Sequence, residues 1–297
     1  MTNGNTISNS IKEQEKFAVD KKSLADRNLH LSIEIRERNI LACLLDKDTN
    51  QYVGWAAYNR RDEKLSGMTQ STVNIKLPFT TLLKEELLSF RCSGSSIVFV
   101  PNNAMMVPGA YFSNDLLRDY LQQQNLIKPG ERPCSDFIKN NDCYSLYAVD
   151  LNDYHLLKEK YPHAAFRHHS SVFVEYLLAL HKSSDKNQVH VYVFENYMDV
   201  VALQAGKLLL YNRYHIQTAN DFTYFLLWVY EELKFAPDTP CTFYGAITEK
   251  SEQYALAQKY LPHISLAQKT TQINLARSLD NLPVHNYYSL FMQYLCI

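Results

Sequence analysis

Four carboxylates stand at the ends of hydrophobic strand patterns in this chain. They are Glu34 in HLSIEI (30–35), Asp46 after ILACLL (40–45), Asp150 closing YSLYAVD (144–150) and Asp199 in VYVFENYMDVVAL (191–203). Acids so placed suit metal-dependent phosphoryl chemistry. Nucleases of this kind gather three or four of them around two divalent ions, one on the first strand, and Glu34 fits that role. Asp46 and Asp150, however, adjoin turn sequences, where Asp ordinarily forms a turn or caps a helix. The formal net charge is -1, and no basic patch is present to hold a nucleic-acid backbone. His163, His168 and His169 lie close together beside Arg167. A metal site would need further ligands at supporting spacing, and adjacent histidines point in different directions on a helix or strand. The expectation for them is a solvated helix entrance. Cys92, in FRCSGSS, is the only thiol near Gly and Ser, and is expected to end a helix with Gly94 as its cap. The P-loop, G-x-G-x-x-G, H-E-x-x-H and G-x-S-x-G patterns are all absent, so no covalent nucleophile is nominated.

The composition sets the bounds. A length of 297 residues, with 46% hydrophobic and 21% charged, describes one large domain or two ordinary ones around a sizeable core. No apolar run is long enough to span a bilayer. The first residues lack the apolar stretch of a secretory signal, which makes a cytoplasmic location the default expectation. Six cysteines without a C-x-x-C read as reduced thiols. Glycine is scarce, 8 where average usage gives about 20. That bears on phosphate binding, because a loop that cradles phosphate with backbone amides needs positions without a Cβ.

The elements that must position these residues fall into two blocks. After a polar leader (1–28), strands at 30–35, 40–45 and 51–58 form a meander. A polar stretch (59–75) follows. Then come a helix at 77–90 capped by Thr80 or Thr81, a strand at 96–101 and a helix at 113–125 capped by Ser113 or Asn114. A strand at 144–150 and helices at 151–160 and 169–182 complete the block. The second block repeats the order. Strands at 188–194, 200–206 and 207–215 are joined through an Ala205-Gly206 turn. A helix at 218–235 opens on a Thr218/Asp221 capping box, and a strand at 242–246 and a helix at 249–260 follow. The tail, HNYYSLFMQYLCI, reads as a docked helix. Phe222, Phe225, Leu226, Val229 and Leu233 form a core-facing stripe, while Tyr224 and Trp228 fall elsewhere on the wheel. The expected boundaries are a leader 1–28, a first lobe with its connecting helix 29–182, and a second lobe 183–297 whose last helix docks back on the first.

This duplicated unit resembles the actin-like ATPase superfamily, which includes sugar kinases, heat-shock chaperones, actin and pilus assembly platform proteins. In that superfamily each half opens with a phosphate hairpin, the first reading like I-D-I-G-T-T-S-V-K-A. Here Ile33-Glu34-Ile35-Arg36-Glu37-Arg38-Asn39-Ile40-Leu41-Ala42 lies on it without a gap. The second reads like V-D-I-G-G-G-T-T-D-V. Val191-Tyr192-Val193-Phe194-Glu195-Asn196-Tyr197-Met198-Asp199-Val200 lies on that one. At the adenosine site, Thr242–Ala246 stands where a strand ends in a glycine pair. More narrowly, residues 29–297 resemble a bacterial family known as a domain of unknown function with an actin-like fold.

The resemblance implies an α/β, duplicated actin-like (ribonuclease H-like) fold, two lobes each with a mixed five-stranded sheet and flanking helices. It makes Glu34, Arg36, Tyr192, Asp199 and Gly245 the candidate cleft residues. The hydrophobic frame is kept and the functional letters are not. Arg36 replaces a Gly, Tyr192 an Asp, and Phe194, Glu195 and Asn196 three glycines. Side chains at those positions fill the phosphate volume, and Tyr192 cannot orient a Mg²⁺-bound water as a carboxylate can. Glu195 would repel a triphosphate. Arg36 would either neutralise an anion or take its place by pairing with Glu34 or Glu195, and the latter is favoured. The expectation is a non-catalytic binding or scaffold protein. It would use no catalytic residue, cofactor or metal, and would act through a protein partner or self-association. It would have neither nucleic acid nor an integral membrane segment. The alternatives are an atypical ATP- and Mg-binding ATPase or kinase, and an RNase H-like nuclease.

Overall fold

The computed structural model describes Leu24 and residues 27–59, 87–100 and 103–296. Most of the leader, the stretch from 60, the bulk of the helix expected at 77–90 and both of its candidate caps lie outside these residues.

The first sheet begins as an antiparallel meander of β1 (Leu29–Ile35), β2 (Asn39–Asp46) and β3 (Gln51–Asn59). β4 (Gly94–Phe99) then pairs parallel to β1. The chain departs into a small antiparallel sheet made of β5 (Ala104–Pro108), β6 (Glu131–Ile138) and β7 (Cys143–Asp150), with α1 (Leu117–Gln123) between β5 and β6. α2 (Leu151–Lys160) leads back to β8 (Ala165–His168), which pairs parallel to β4 and closes the first sheet. α3 (His169–Leu180) connects the halves.

The second sheet repeats the plan. β9 (Asn187–Val193), β10 (Tyr197–Gln204) and β11 (Lys207–His215) form a meander, followed by α4 (Ala219–Glu232), β12 (Cys241–Gly245), α5 (Glu252–Gln258) and β13 (Ile264–Leu266). The two strand orders, β3-β2-β1-β4-β8 and β11-β10-β9-β12-β13, are the same path taken twice. The expected duplicated α/β fold is thus present, with a third sheet inserted into its first half.

Local chemistry explains several boundaries. Ala205 and Gly206 both have positive φ, 49° and 72°, as a two-residue hairpin turn of the primed class requires. Thr218 and Asp221 form the reciprocal capping box of α4. Asp150 caps α2 by accepting from the Asp153 amide at 2.9 Å, and Asp46 accepts from the Asp48 amide at 3.0 Å in its turn.

Other expectations are corrected. The helix expected at 113–125 is a 3-10 turn (Asn114–Leu116) followed by the short α1, and Ser113 makes no side-chain cap. Leu87–Ser89, the described part of the 77–90 helix, is a 3-10 turn, and Gly94 is the first residue of β4 rather than a cap behind Cys92. β5, β6, β8 and β13 were not anticipated. β8 and β13 are too short to show a period, and Pro133 inside β6 argues against a strand except at an edge, which is where β6 lies.

One apolar core lies between the two sheets. Leu41, Cys43 and Trp55 of the first meander meet Tyr192, Phe194 and Tyr244 of the second half, with Phe173 and Leu177 of α3. The tail fills the remainder: a 3-10 turn (Val284–Tyr287), α6 (Tyr288–Met292) and a 3-10 turn (Gln293–Cys296), with Leu290, Phe291 and Met292 buried. It bonds to both halves. Tyr52 donates to the Phe291 carbonyl at 2.5 Å, Gln293 to the Ile33 carbonyl at 3.2 Å, and His285 lies 3.0 Å from the Ile247 carbonyl oxygen.

Candidate functional site

The β1–β2 and β9–β10 hairpins bring their turns together across the interlobe cleft. Each turn closes with a backbone bond, Arg36 to the Asn39 carbonyl and Phe194 to the Tyr197 carbonyl, both 2.8 Å. Arg38 from the first turn forms an exposed ion pair with Glu195 from the second. The Arg36 guanidinium lies 5.8 Å from the centre of the Phe194 ring.

Beneath these turns each half buries one carboxylate and neutralises it with one arginine. Glu34 pairs with Arg36 at 2.5 Å. Asp199 takes a two-pronged contact from Arg213, at 2.5 and 2.7 Å, and Arg213 also donates to the Val100 carbonyl at 3.0 Å. Both acids are fully buried. Burial alone would lower each arginine's pKa, but the facing carboxylates outweigh it and hold both guanidinium groups charged. Arg36 therefore pairs within its own hairpin, with Glu34, and Arg38 is the residue that reaches Glu195.

The tail supplies the remaining partners. Ser289 donates to Glu34 and sits 3.1 Å from the Tyr192 hydroxyl. The Asn286 carbonyl accepts from Tyr192 at 3.2 Å and from Arg36 at 3.4 Å. Aromatic rings fill what is left. Tyr192 stacks on Phe194 with centroids 4.8 Å apart, and the His169 ring meets both edge-on, at 4.6 and 5.0 Å.

His168 and His169 are buried, which corrects the solvated entrance expected of them. His168 caps α3 by accepting from the Ser170 amide at 3.1 Å. His169 Nε2 lies 3.5 Å from Asp199, but this is a contact of a neutral ring. Burial, then the charges of Arg213 and its neighbours, hold its pKa well below the ordinary histidine value.

Gly245 keeps a glycine's geometry for a packing reason. Its φ is +83°, and a Cβ there would stand 2.1 Å from the Val193 carbonyl oxygen and 2.8 Å from the Tyr192 ring. Tyr192 thus occupies the space that this glycine leaves.

Burial, with Glu34 adding to it, pushes the Tyr192 phenol up to about 12, and burial does the same for Tyr197. Burial lifts the thiols of Cys92 and Cys134 to about 11 and that of Cys296 to about 12. Among the described residues no three His, Cys, Asp or Glu side chains converge as a metal site would require. The two acids beneath the turns are each paired with an arginine, and the Tyr192 and Phe194 rings stack beside them.

The structure thus brings Glu34, Arg36, Tyr192 and Gly245 together, with Asp199 alongside. Asp46 and Asp150 stand apart in their turn and cap. Sequence reasoning missed Arg213, His169, Asn286 and Ser289. For Arg213 the signal was misleading. The Ala205-Gly206 turn pairs Gln204 with Lys207, and an unbroken register would set Asn212 opposite Asp199. A bulge between Ala202 and Leu203 shifts the strand by one residue and presents Arg213 instead. The other three come from distant segments that no local pattern connects to the hairpins.

Geometry and sequence agree with the relatives. The chain belongs to the family described as protein of unknown function (DUF3822), which matches residues 19–264. No curated protein matches it in sequence. Among solved structures it is similar to a Bacteroides thetaiotaomicron protein with actin-like ATPase fold and unknown function. The TM-score is 0.73 at 17% identity, covering 92% of this chain and 98% of that one. It is also similar to a chain of the PilM-PilN type IV pilus biogenesis complex, with a TM-score of 0.52 at 11% identity, covering 90% and 97%. The protein has an actin-like ATPase fold. Among the described residues no helix is long and apolar enough to cross a membrane.

Proposed function

We propose that this protein is a non-catalytic member of the actin-like fold that acts by binding a protein partner or a second copy of itself. The observation that carries this reading is the pairing of the two acids beneath the hairpin turns with internal arginines, Glu34 with Arg36 and Asp199 with Arg213. Each guanidinium takes the position of charge compensation that a metal ion would otherwise hold. Tyr192 and Phe194 take the volume of the phosphates, so the cleft joins the lobes and no cofactor is used. That a structural neighbour is a component of a pilus biogenesis complex is consistent with a protein partner, as fold-level analogy.

The alternative is an ATPase with atypical loops, and Mg-ATP separates the two. A nucleotide at 100 times its Kd would stabilise the fold by about 2.7 kcal/mol. The expected result is no thermal shift with Mg-ATP, Mg-ADP or Mg-GTP and no phosphate release. A saturable Mg-ATP shift that Glu34→Gln abolishes would overturn the proposal.

A further inference from the structure

Away from the hairpins, a cavity of about 490 Å³ opens where the small sheet, α3 and the C-terminal tail meet. That volume lies within the range of small-ligand sites. One rim is Lys139 and Asn140, from the turn between β6 and β7. The opposite wall is Tyr176, Ala179 and Leu180 of α3 with Leu295 of the tail. Leu180 is 47% exposed and Leu295 38%, so the wall offers aliphatic surface to whatever enters.

Glu175 lines the cavity, and Arg167 pairs with that carboxylate at 2.5 Å while lying 3.9 Å from Asp136 and bonding to the Cys296 carbonyl at 2.7 Å. Lys139 has no ion-pair partner among the described residues. The cavity therefore presents the Lys139 cation and the Asn140 amide beside the apolar side chains of α3 and the tail. A neutral apolar guest would leave Lys139 unused, and a cationic guest would be repelled by it.

We propose that this cavity binds a small amphipathic carboxylate, with its head on Lys139 and Asn140 and its apolar chain along Tyr176, Ala179, Leu180 and Leu295. A volume of this size suits a medium-length chain. The site is separate from the interlobe cleft and does not depend on whether that cleft takes a nucleotide.

Calorimetric titration of the full chain with octanoate tests this, with octan-1-ol and acetate as controls for the chain and the head alone. Octanoate is expected to bind saturably and to raise Tm, with each control at least ten-fold weaker. Lys139→Glu and Leu180→Asp, both on the surface, should leave the unliganded Tm unchanged and each weaken octanoate at least ten-fold. Equal binding of octan-1-ol and octanoate, octanoate binding unaffected by Lys139→Glu, or the absence of saturable heat would each overturn the proposal.

Discussion

The two hairpins solve the same electrostatic problem in different ways. In the second half the solution is internal to one sheet. Asp199 and Arg213 face each other across β10 and β11 in a two-pronged contact, and Arg213 also reaches the Val100 carbonyl of the first half. In the first half Glu34 and Arg36 lie two residues apart on one strand end, and the pair is completed by Ser289 and Asn286 of the tail, some 250 residues on. A buried charge needs an opposite charge together with hydrogen bonds for its remaining lone pairs. A cross-strand arginine supplies both in one side chain. An arginine on the same strand supplies one contact and leaves the rest to a distant segment. The second acid is thus held chiefly by the neighbouring strand β11, whereas the first is tied to the tail and ties the tail to the cleft.

The largest expected effect breaks the cross-strand pair. Arg213→Met should destabilise by about 3–5 kcal/mol, because it leaves Asp199 buried and uncompensated. Urea unfolding would measure this, and adding Asp199→Asn should recover part of the loss. A loss below about 1 kcal/mol would show that water reaches Asp199. Gly245→Ala should cost at least 1–3 kcal/mol, since it strains a positive φ and drives a Cβ into the Val193 carbonyl. Ser289→Ala, which removes a donor from the first pair, should cost about 1–3 kcal/mol. Its diagnostic is location. Hydrogen exchange should quicken in β1 and the tail and stay unchanged in β10 and β11.

Protonation compares the halves more gently. Burial holds His30 of β1 at about 4 and His190 of β9 at about 3, against an ordinary 6.5. Below pH 6.5 the unfolded chain takes up protons that the folded one refuses. Stability is therefore full above pH 6.5 and falls as the pH drops toward 4 for His30 and toward 3 for His190. The slope is at most about 1.4 kcal/mol per pH unit for each group. A pH series of urea melts checks this, and His190→Gln should flatten the decline more than His30→Gln at the acid end. The smallest effect belongs to the exposed bridge between the hairpins. Arg38→Ala should change stability by no more than about 1 kcal/mol, with a loss that vanishes in high salt.

Much of the frame was legible in the chain. Alternation in HLSIEI and short apolar runs bounded by turn residues marked the six meander strands. The Ala205-Gly206 turn and the Thr218/Asp221 box announced themselves because they are local, with every partner within a few residues. The side chains at Phe194, Glu195 and Asn196 were equally local, since residue type alone places a Cβ at each. The small sheet was harder, since β6 carries a proline and β5 only five residues. The buried histidines were misread because adjacent polar residues at a helix start look solvated until something packs over them.

What the sequence by itself determined, then, is the duplicated strand frame and the side chains that stand at the hairpin turns, since both are read from local pattern and residue type. Only the tertiary structure decided what those side chains pair with. A single bulged residue chose Arg213 over Asn212 as the partner of Asp199. The docking of the tail chose Ser289 for Glu34, and burial made His169 a neutral wall of the cleft. Register, docking and burial are properties of distant segments in contact, and each depends on the whole core being assembled.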